Sequence, residues 1–318
     1  MSKVLIGSIL ISGLLISGFI FNRKENVTWL VQSIDTMKYS RDLSLNKLND
    51  PSFNKVIDNQ IADIKKTGAT HVAIATPYDD QFLPMLKSWV EAARIHGLNV
   101  WFRGNFAGWE GWFGYESITG EQHLDKTKRF ILNNAVLFAD GDIFTACPEC
   151  ENGGPGDPRW TGDVTGFRNF LISQYRIARE SFEQINKKVI SNLFSMNYDV
   201  ASLVMDKETT TALDGVVTID HYVKDADLLV EDINNIRKKS GGQVMLGEFG
   251  APIENIHGKM SQDDQADWIR TALDKLKTEN VIIGINYWVN TGGSTGLWHD
   301  DGREKPAAGV IKTFYSGQ

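Results

Sequence analysis

Eight short apolar runs alternate with amphipathic stretches along this chain, and this alternation limits the folds open to it. Mostly apolar strands are typical of a parallel sheet that is covered on both faces. Eight strand–helix pairs in strict order predict an α/β domain with the (β/α)8 (TIM) barrel fold. An open doubly wound sheet is the alternative, and the lack of a glycine-rich phosphate loop in the sequence weighs against it.

The predicted strands cover residues 29–35, 71–76, 98–103, 142–147, 188–194, 215–220, 243–248 and 281–288. The predicted helices cover residues 54–66, 81–96, 121–138, 163–183, 201–213, 226–239, 261–278 and 304–315. The longest loops follow strands three and four, so these loops have the most room for function.

Residues 27–318 are long enough for one catalytic domain of this type, since such barrels commonly take ~250 residues. The net charge is -7 at pH 7, and the body of the chain has no basic stretch. Nucleic acid is therefore not expected as a partner. We expect a monomer, and no feature of the sequence calls for a metal or an organic cofactor.

Residues 1–26 form a separate hydrophobic N-terminal segment. Residues 4–21 carry no charge, and Lys3, Arg23 and Lys24 flank them. A run of this length just suffices for a transmembrane helix, which needs ~20 apolar residues. We predict a membrane anchor with the catalytic domain outside the cytoplasm; a cleaved signal peptide, which would give a secreted protein, stays open. Because charges flank both ends, they do not fix the orientation.

Two acidic motifs follow predicted strands four and seven. Glu248 lies in Gly-Glu-Phe-Gly at residues 247–250, and Glu149 and Glu151 lie in Pro-Glu-Cys-Glu-Asn-Gly at residues 148–153. In a barrel, the ends of all strands open on one face, where active sites form. Two carboxyl groups on one face suit hydrolysis of a glycosidic bond. With a separation of ~5–5.5 Å one attacks the sugar and the other protonates the leaving oxygen, which gives retention of configuration.

These glutamates, together with His221-Tyr222 after strand six and Trp288 after strand eight, resemble the retaining (β/α)8 glycoside hydrolases of clan A, such as the family 5 cellulases and mannanases. The resemblance covers about residues 29–314. It implies cleavage of β-linked oligo- or polysaccharides by double displacement. It also implies that Glu248 is the nucleophile and that the strand-four glutamate is the acid/base.

The strand-four motif departs from the family pattern, which is usually Asn-Glu-Pro. This chain has Pro148 before Glu149, so the asparagine that bonds the sugar's 2-hydroxyl in the family is replaced. Distance from the strand favours Glu149 as the acid/base. Glu151 is the alternative, because two residues along an extended segment return a side chain to the same side. A barrel that binds carbohydrate without cleaving it is the alternative function.

Other strand-end residues are expected to bind substrate or to support the nucleophile. An ionised carboxylate needs a cation or hydrogen-bond donors nearby, and Arg103, His221 and Tyr222 can supply them. Asn105 follows the same strand as Arg103. Flat indole rings can cover the apolar face of a sugar. The tryptophans in predicted loops on this side are Trp109, Trp112, Trp160, Trp288 and Trp298.

Cys147 and Cys150 are the two cysteines of the chain, and they bracket Glu149. Their Cys-x-x-Cys spacing also occurs in redox and zinc sites. A redox site would place the first cysteine at the start of a helix, and a zinc site would need two further ligands at characteristic spacing. Packing, or a local disulfide that shapes the loop, is the favoured interpretation.

Overall fold

The computed structural model describes residues 29–154 and 156–317. Within these residues, eight parallel strands form one sheet in the order β4-β3-β2-β1-β8-β7-β6-β5. The strands are β1 (Val31–Asp35), β2 (His71–Ile74), β3 (Asn99–Phe102), β4 (Ile143–Phe144), β5 (Ser195–Asn197), β6 (Val216–Asp220), β7 (Gln243–Phe249) and β8 (Ile282–Tyr287). Because the first strand lies beside the last, the sheet curls toward a ring.

The segment before β5 closes this ring. Ile190 forms a parallel bridge with Ile143 of β4, and the Phe144 amide donates to the Ile190 carbonyl at 2.8 Å. The expected (β/α)8 barrel is thus confirmed. The predicted fifth strand at 188–194 is corrected, since the ladder with β6 begins only at Ser195. The extended chain changes partner from β4 to β6 here, so neither half makes a long strand.

Helices follow the strands and cover the outside of the barrel. The α-helices are α1 (Met37–Ser40), α2 (Ser44–Lys47), α3 (Phe53–Lys66), α4 (Leu83–Ile95), α5 (Ala107–Glu110), α6 (Gly120–Asn133), α7 (Pro158–Thr161), α8 (Val164–Gln184), α9 (Tyr198–Val204), α10 (Lys207–Ala212), α11 (Ala226–Ser240), α12 (Glu254–His257), α13 (Gln262–Leu276) and α14 (Pro306–Tyr315). Short 3-10 helices cover Asp80–Phe82, Trp112–Gly114, Ala135–Leu137 and Cys150–Asn152.

Most predicted helices occur close to their predicted bounds, and one is divided. In α3 the buried residues Ile57, Ile61 and Ile64 recur at helical spacing, which gives the apolar face expected of a helix on a sheet. The predicted helix at 201–213 is instead α9 and α10. Met205 follows the end of the first, and Asp206 caps the second, since its carboxylate accepts the Thr209 amide at 2.8 Å.

The barrel interior changes from apolar to polar toward the ends of the strands. An apolar layer fills the interior and contains Val31, Trp101 and Met245. Side chains alternate along a strand, so the next inward positions of β1 are Ser33 and Asp35, both buried. The polar layer above the apolar one is what positions the site described below.

The predicted N-terminal segment, residues 1–26, and the boundary at residue 27 lie outside the described residues. Among the residues that are described, no helix combines the length and the apolar character that crossing a membrane requires.

Candidate active site

A buried arginine organises the carboxylates at the strand ends. Arg103 directly follows β3, and its guanidinium contacts three acidic side chains: Asp35 at 3.4 Å, Asp220 at 3.4 Å and Glu248 at 3.2 Å. It also donates to the Ser195 hydroxyl at 3.1 Å and to the Gly247 carbonyl. One cation that follows β3 therefore links residues of four other strands, β1, β5, β6 and β7.

Glu248 lies near the end of β7 and is held by two donors. Arg103 Nη2 donates to its Oε1, and the Tyr222 hydroxyl donates to its Oε2 at 2.8 Å. Burial raises the pKa of Glu248 to about 7; Arg103 and Tyr222 oppose this rise, and the negative charge of Glu149 adds to it. The ionised form is thus stabilised by specific donors inside a site that otherwise disfavours charge.

Glu149 reaches the same site from the loop after β4. Its amide donates to the Ser195 carbonyl at 2.8 Å, which ties this loop to β5. Its carboxylate accepts from Asn197 Nδ2 at 3.0 Å and from Asn152 Nδ2 at 3.1 Å. Its charge acts on both Arg103 and Glu248. The loop from β4 thus brings a half-buried carboxylate into electrostatic contact with the one on β7.

The backbone of Glu149 is in the left-handed region, with φ of 46°. This conformation is uncommon for a residue other than glycine. A disulfide between Cys147 and Cys150 closes the turn around it. The expected local disulfide is thus present, and it joins the residues on either side of the Pro148-Glu149 segment.

Glu151 has a different environment from Glu149. It is buried, and its Oε1 accepts the Asn197 amide at 2.9 Å and the Asn197 side chain at 3.1 Å. Burial is the largest effect on Glu151 and raises its pKa to about 7. Glu151 therefore fastens the loop after β4 to the end of β5.

Two of the predicted tryptophans lie at the rim and are half-buried. Trp288 meets the Tyr222 ring edge to face at 6.0 Å, and Lys38 lies 5.4 Å from its ring centre. Arg41 lies 4.9 Å from the ring centre of Trp112. Both cations come from α1 and the residue that follows it, so the first loop of the barrel supports both rings.

The other predicted rings are placed differently. Trp109 is 3% exposed and stacks on Phe170 at 5.1 Å, and its indole donates to the Cys150 carbonyl at 3.2 Å. Trp298 is 7% exposed and belongs to the core. Trp298 also lines a surface cavity, and the expected contact of both rings with substrate stays a prediction. Trp160 in α7 is 83% exposed.

Asn105 and His221 are also supporting residues in this structure. Asn105 is buried, and its Oδ1 accepts the Phe106 amide at 2.8 Å and lies 2.8 Å from His123 Nε2. The His221 ring pairs with Asp232 of α11 at 2.9 Å and stacks on Tyr198. Burial lowers the pKa of His221, with Asp232 opposing. The expected contact of these two residues with the substrate stays a prediction.

Two acidic residues at the site were not singled out from the sequence. Asp220 ends β6 and contacts Arg103. Thr218 and Asp220 are two residues apart on this strand, so their side chains lie on the same face, and this spacing could have indicated that Asp220 points into the barrel. Glu110 lies in the long loop after β3, and burial, the largest effect, raises its pKa to about 7. Arg41 opposes this rise and Glu149 adds to it. Its position between two tryptophans was the only hint in the sequence.

Within residues 29–154 and 156–317, no group of three or more His, Cys, Asp or Glu side chains is arranged to hold a metal ion. The fold and the strand-end residues define a (β/α)8 barrel whose mouth is acidic, with an arginine beneath it.

Solved structures with this fold include several glycosidases. A GH5_18 structure from Bifidobacterium longum subsp. longum is 15% identical with a TM-score of 0.65, and the match covers 90% of this chain and 79% of that one. A GH5_18 variant from Streptomyces cattleya, in complex with Manb1-4GlcNAc, is 13% identical with a TM-score of 0.66 and the same coverage of 90% and 79%. The beta-glycosidase BGL167 is 15% identical with a TM-score of 0.60, covering 92% of this chain and 96% of that one.

A beta-glucuronidase from Parabacteroides merdae is 13% identical with a TM-score of 0.55 over 82% of this chain. The match covers 34% of that protein, so this chain spans about a third of its length. At these identities the similarity establishes the fold, and it bears out the expected resemblance to clan A barrels at that level. No protein-family model matches the sequence, and the search of curated proteins found no match.

Proposed function

We propose that residues 27–318 act as a retaining glycoside hydrolase on β-linked oligo- or polysaccharides. Glu248 is the proposed nucleophile, and Glu149 is the proposed acid/base. The observation that carries the proposal is that Glu248 of β7 and Glu149 of the loop after β4 both reach the barrel mouth and act on the same arginine, Arg103. Glu248 is held between Arg103 and Tyr222, and the charge of Glu149 acts on it from the opposite loop.

The contacts around each carboxylate support this division of roles. Glu248 receives two side-chain donors, which favour the ionised form that a nucleophile needs. Glu149 is half-buried and is bonded by the side-chain amides of Asn152 and Asn197. We favour Glu149 over Glu151 because Glu151 is buried and its carboxylate binds the backbone of β5.

The proposed reaction has two steps. In the first, a Glu248 oxygen bonds to the anomeric carbon while the glycosidic bond breaks, and Glu149 gives its proton to the leaving oxygen. In the second, Glu149 takes a proton from water, the water oxygen bonds to the anomeric carbon, and the bond to Glu248 breaks. Both carboxyl groups regain their starting forms, and the product keeps the β configuration.

The substrate class is proposed from the rim and from the neighbours. The similar S. cattleya structure holds Manb1-4GlcNAc, and other similar structures are named as a beta-glycosidase and a beta-glucuronidase. In this chain the half-buried rings of Trp112 and Trp288 are available to cover sugar C–H faces. We propose a β-linked carbohydrate as substrate on this basis.

We further propose that residues 1–26 anchor the protein in a membrane, or are removed as a signal peptide, with the catalytic domain outside the cytoplasm. The Cys147–Cys150 disulfide supports this location, because disulfides persist mainly in oxidising compartments. Nucleic acid is not a proposed partner, and we propose a monomer. Cell fractionation of full-length protein tests the location. Recovery in the cytosol with both cysteines reduced would contradict it.

The test of the function is hydrolysis of a panel of β-linked oligosaccharides and aryl glycosides, with the anomeric form of the first product followed by proton NMR. We expect a β product first. Glu248→Gln should abolish turnover, and Glu149→Gln should abolish turnover of substrates with poor leaving groups. Glu254→Gln on α12 is the control and should leave turnover unchanged. Binding of sugars without turnover by the wild type would instead support the carbohydrate-binding alternative.

A further inference from the structure

Asp220 lies inside the barrel mouth, beside the proposed nucleophile. It ends β6, and in the sheet register it pairs with Glu248 of β7. It is 4% exposed. Gly247 has no side chain, and this gives Asp220 its place, because a Cβ on Gly247 would overlap the Asp220 carboxylate. The three carboxylates on Arg103 are therefore packed around a single buried cation.

These carboxylates differ in the number of donors they receive from the described residues. Asp35 accepts from the Met37 amide at 2.7 Å, from Asn286 Nδ2 at 3.1 Å and from Arg103 at 3.4 Å. Glu248 accepts from Arg103 at 3.2 Å and from Tyr222 at 2.8 Å.

Asp220 is the poorest in donors. Its Oδ2 accepts from Arg103 at 3.4 Å, and its Oδ1 has no partner among the described residues. A buried carboxylate keeps its charge only when donors or cations replace the lost water.

The charges around Arg103 also indicate that one of its three carboxylates is protonated. Three ionised carboxylates on one guanidinium would leave two uncompensated negative charges in a buried site, which is costly. The groups that face Asp220 include Arg103, which follows β3, Glu248 of β7, Glu149 and Glu151 of the loop after β4, and the Tyr222 hydroxyl. Four of the six groups in this set, counting Asp220, are carboxyl groups. The proton that relieves the repulsion belongs on the carboxylate with the fewest donors.

We propose that Asp220 is a neutral carboxylic acid in the folded protein at neutral pH, and that it thereby leaves Arg103 to stabilise the ionised forms of Asp35 and Glu248. Burial raises the pKa of Asp220 well above its usual range, and the nearby carboxylates add to this rise while Arg103 opposes it. Asp220 is then a positioning residue for Glu248. The protonation state stands by itself, and the role toward Glu248 rests on the proposed function.

Thermal unfolding of a matched pair of variants tests the protonation state without requiring activity. Asp220→Asn and Asp35→Asn each replace a buried carboxylate 3.4 Å from Arg103. If Asp220 is neutral, its amide variant changes no charge, and the Tm at pH 7 should stay within about 2 °C of wild type. Burial raises the pKa of Asp35 too, but Arg103, the Met37 amide and Asn286 oppose this rise. The proposal requires that these donors keep Asp35 ionised, so Asp35→Asn should remove a charged acceptor and lower the Tm by about 5 °C or more. Equal losses in both variants would overturn the proposal.

The pH dependence of Tm is an independent test of the protonation state of Asp220. A carboxyl group whose pKa is raised on folding adds stability below its unfolded pKa of ~3.9, and this stability is lost as pH rises through the folded pKa. Wild type should therefore lose more Tm than Asp220→Asn as the pH increases. Asp35, Glu110, Glu151 and Glu248, whose pKa values burial also raises, are present in both proteins, so the difference between the two curves reports Asp220 and its effect on these neighbours. Parallel curves would overturn the proposal.

The kinetic test separates the positioning role from the proposed function. With a neutral Asp220, Asp220→Asn leaves the field at Glu248 unchanged, so the acidic limb of the kcat/KM profile should not move. With an ionised Asp220, the variant would remove a negative charge, lower the pKa of Glu248 and shift that limb to lower pH, which refutes the positioning role. If the wild type has no hydrolytic activity, the proposed function is refuted. The protonation state of Asp220 is then decided by the unfolding experiments alone.

Infrared difference spectra detect the protonated carboxyl group directly, and they can be recorded on whichever of two Asp220 variants folds. A protonated carboxyl group absorbs separately from a carboxylate. The neutral-acid band of wild type at pH 7 should lose intensity in Asp220→Asn or Asp220→Ala, whichever folds. A band of unchanged intensity in a folded variant would overturn the proposal.

Discussion

Tyr222→Phe is the most informative single substitution at this site, because it removes one atom from the environment of the proposed nucleophile. The Tyr222 hydroxyl donates to Glu248 Oε2 at 2.8 Å. Its ring meets Trp288 edge to face, and phenylalanine keeps that contact. The substitution therefore removes a hydrogen bond to a charged acceptor and leaves the packing in place.

A hydrogen bond to a charged group contributes about 1.5–3 kcal/mol. At 1.36 kcal/mol per factor of ten, loss of this bond should reduce kcat/KM by a factor between about 10 and about 150. The hydroxyl also lowers the pKa of Glu248, against the effect of burial. Without it the pKa should rise above its value of about 7, and the acidic limb of the pH profile should move to higher pH.

The assay is the pH dependence of kcat/KM on an aryl β-glycoside that wild type hydrolyses. Tyr115→Phe is the matched control, since that hydroxyl donates to the neutral Gln81 side chain at 2.7 Å. The control should keep both rate and profile. A Tyr222→Phe enzyme with less than a twofold loss and an unmoved acidic limb would refute the role given to Glu248.

Three further perturbations test other parts of the structure. Replacing Cys147 and Cys150 together by alanine opens a four-residue loop, which costs about 2 kcal/mol of stability by loop entropy. At a temperature where the variant is still folded, kcat should nevertheless fall, because the loop that carries Glu149 is no longer closed. An unchanged kcat would show that the disulfide does not hold Glu149. Arg103→Met leaves buried carboxylates unpaired and should cost about 3–5 kcal/mol in denaturant unfolding; a loss below about 1 kcal/mol would contradict the network. Trp160→Ala should change stability by less than about 0.5 kcal/mol but raise KM for a polysaccharide and not for an aryl glycoside; equal KM values on the polymer would exclude Trp160 as a binding surface.

The barrel was predictable because its signal is repeated. Apolar runs and helical patterns each recur eight times, so an error in one element does not change the class of fold. The fifth strand shows where this reasoning fails. Residues 188–194 have the composition of a strand, but the sheet there is divided between two partners, and β5 begins only at Ser195. Composition reports burial and does not report which neighbour receives the hydrogen bonds.

Site residues on strands were easier to predict than those on loops. Glu248 and Arg103 lie at the ends of β7 and β3, so their direction follows from the strand. Trp109 and Trp298 were expected to offer their rings to a sugar because they lie in predicted loops on the strand-end side, yet both rings are buried. The direction of a loop side chain depends on contacts distant in sequence, such as the packing of Trp109 against Phe170.

The polar layer explains why a single arginine serves so many partners. Inward-facing positions alternate along each strand, so several strands of the barrel each bring a polar residue to the same level. At that level one guanidinium reaches three carboxylates. Because the cation is shared, the charge on one carboxylate depends on the proton held by another. Asp35→Asn should therefore alter the proposed nucleophile without contacting the substrate, whereas Asp220→Asn should leave it unchanged, although both carboxylates lie 3.4 Å from Arg103.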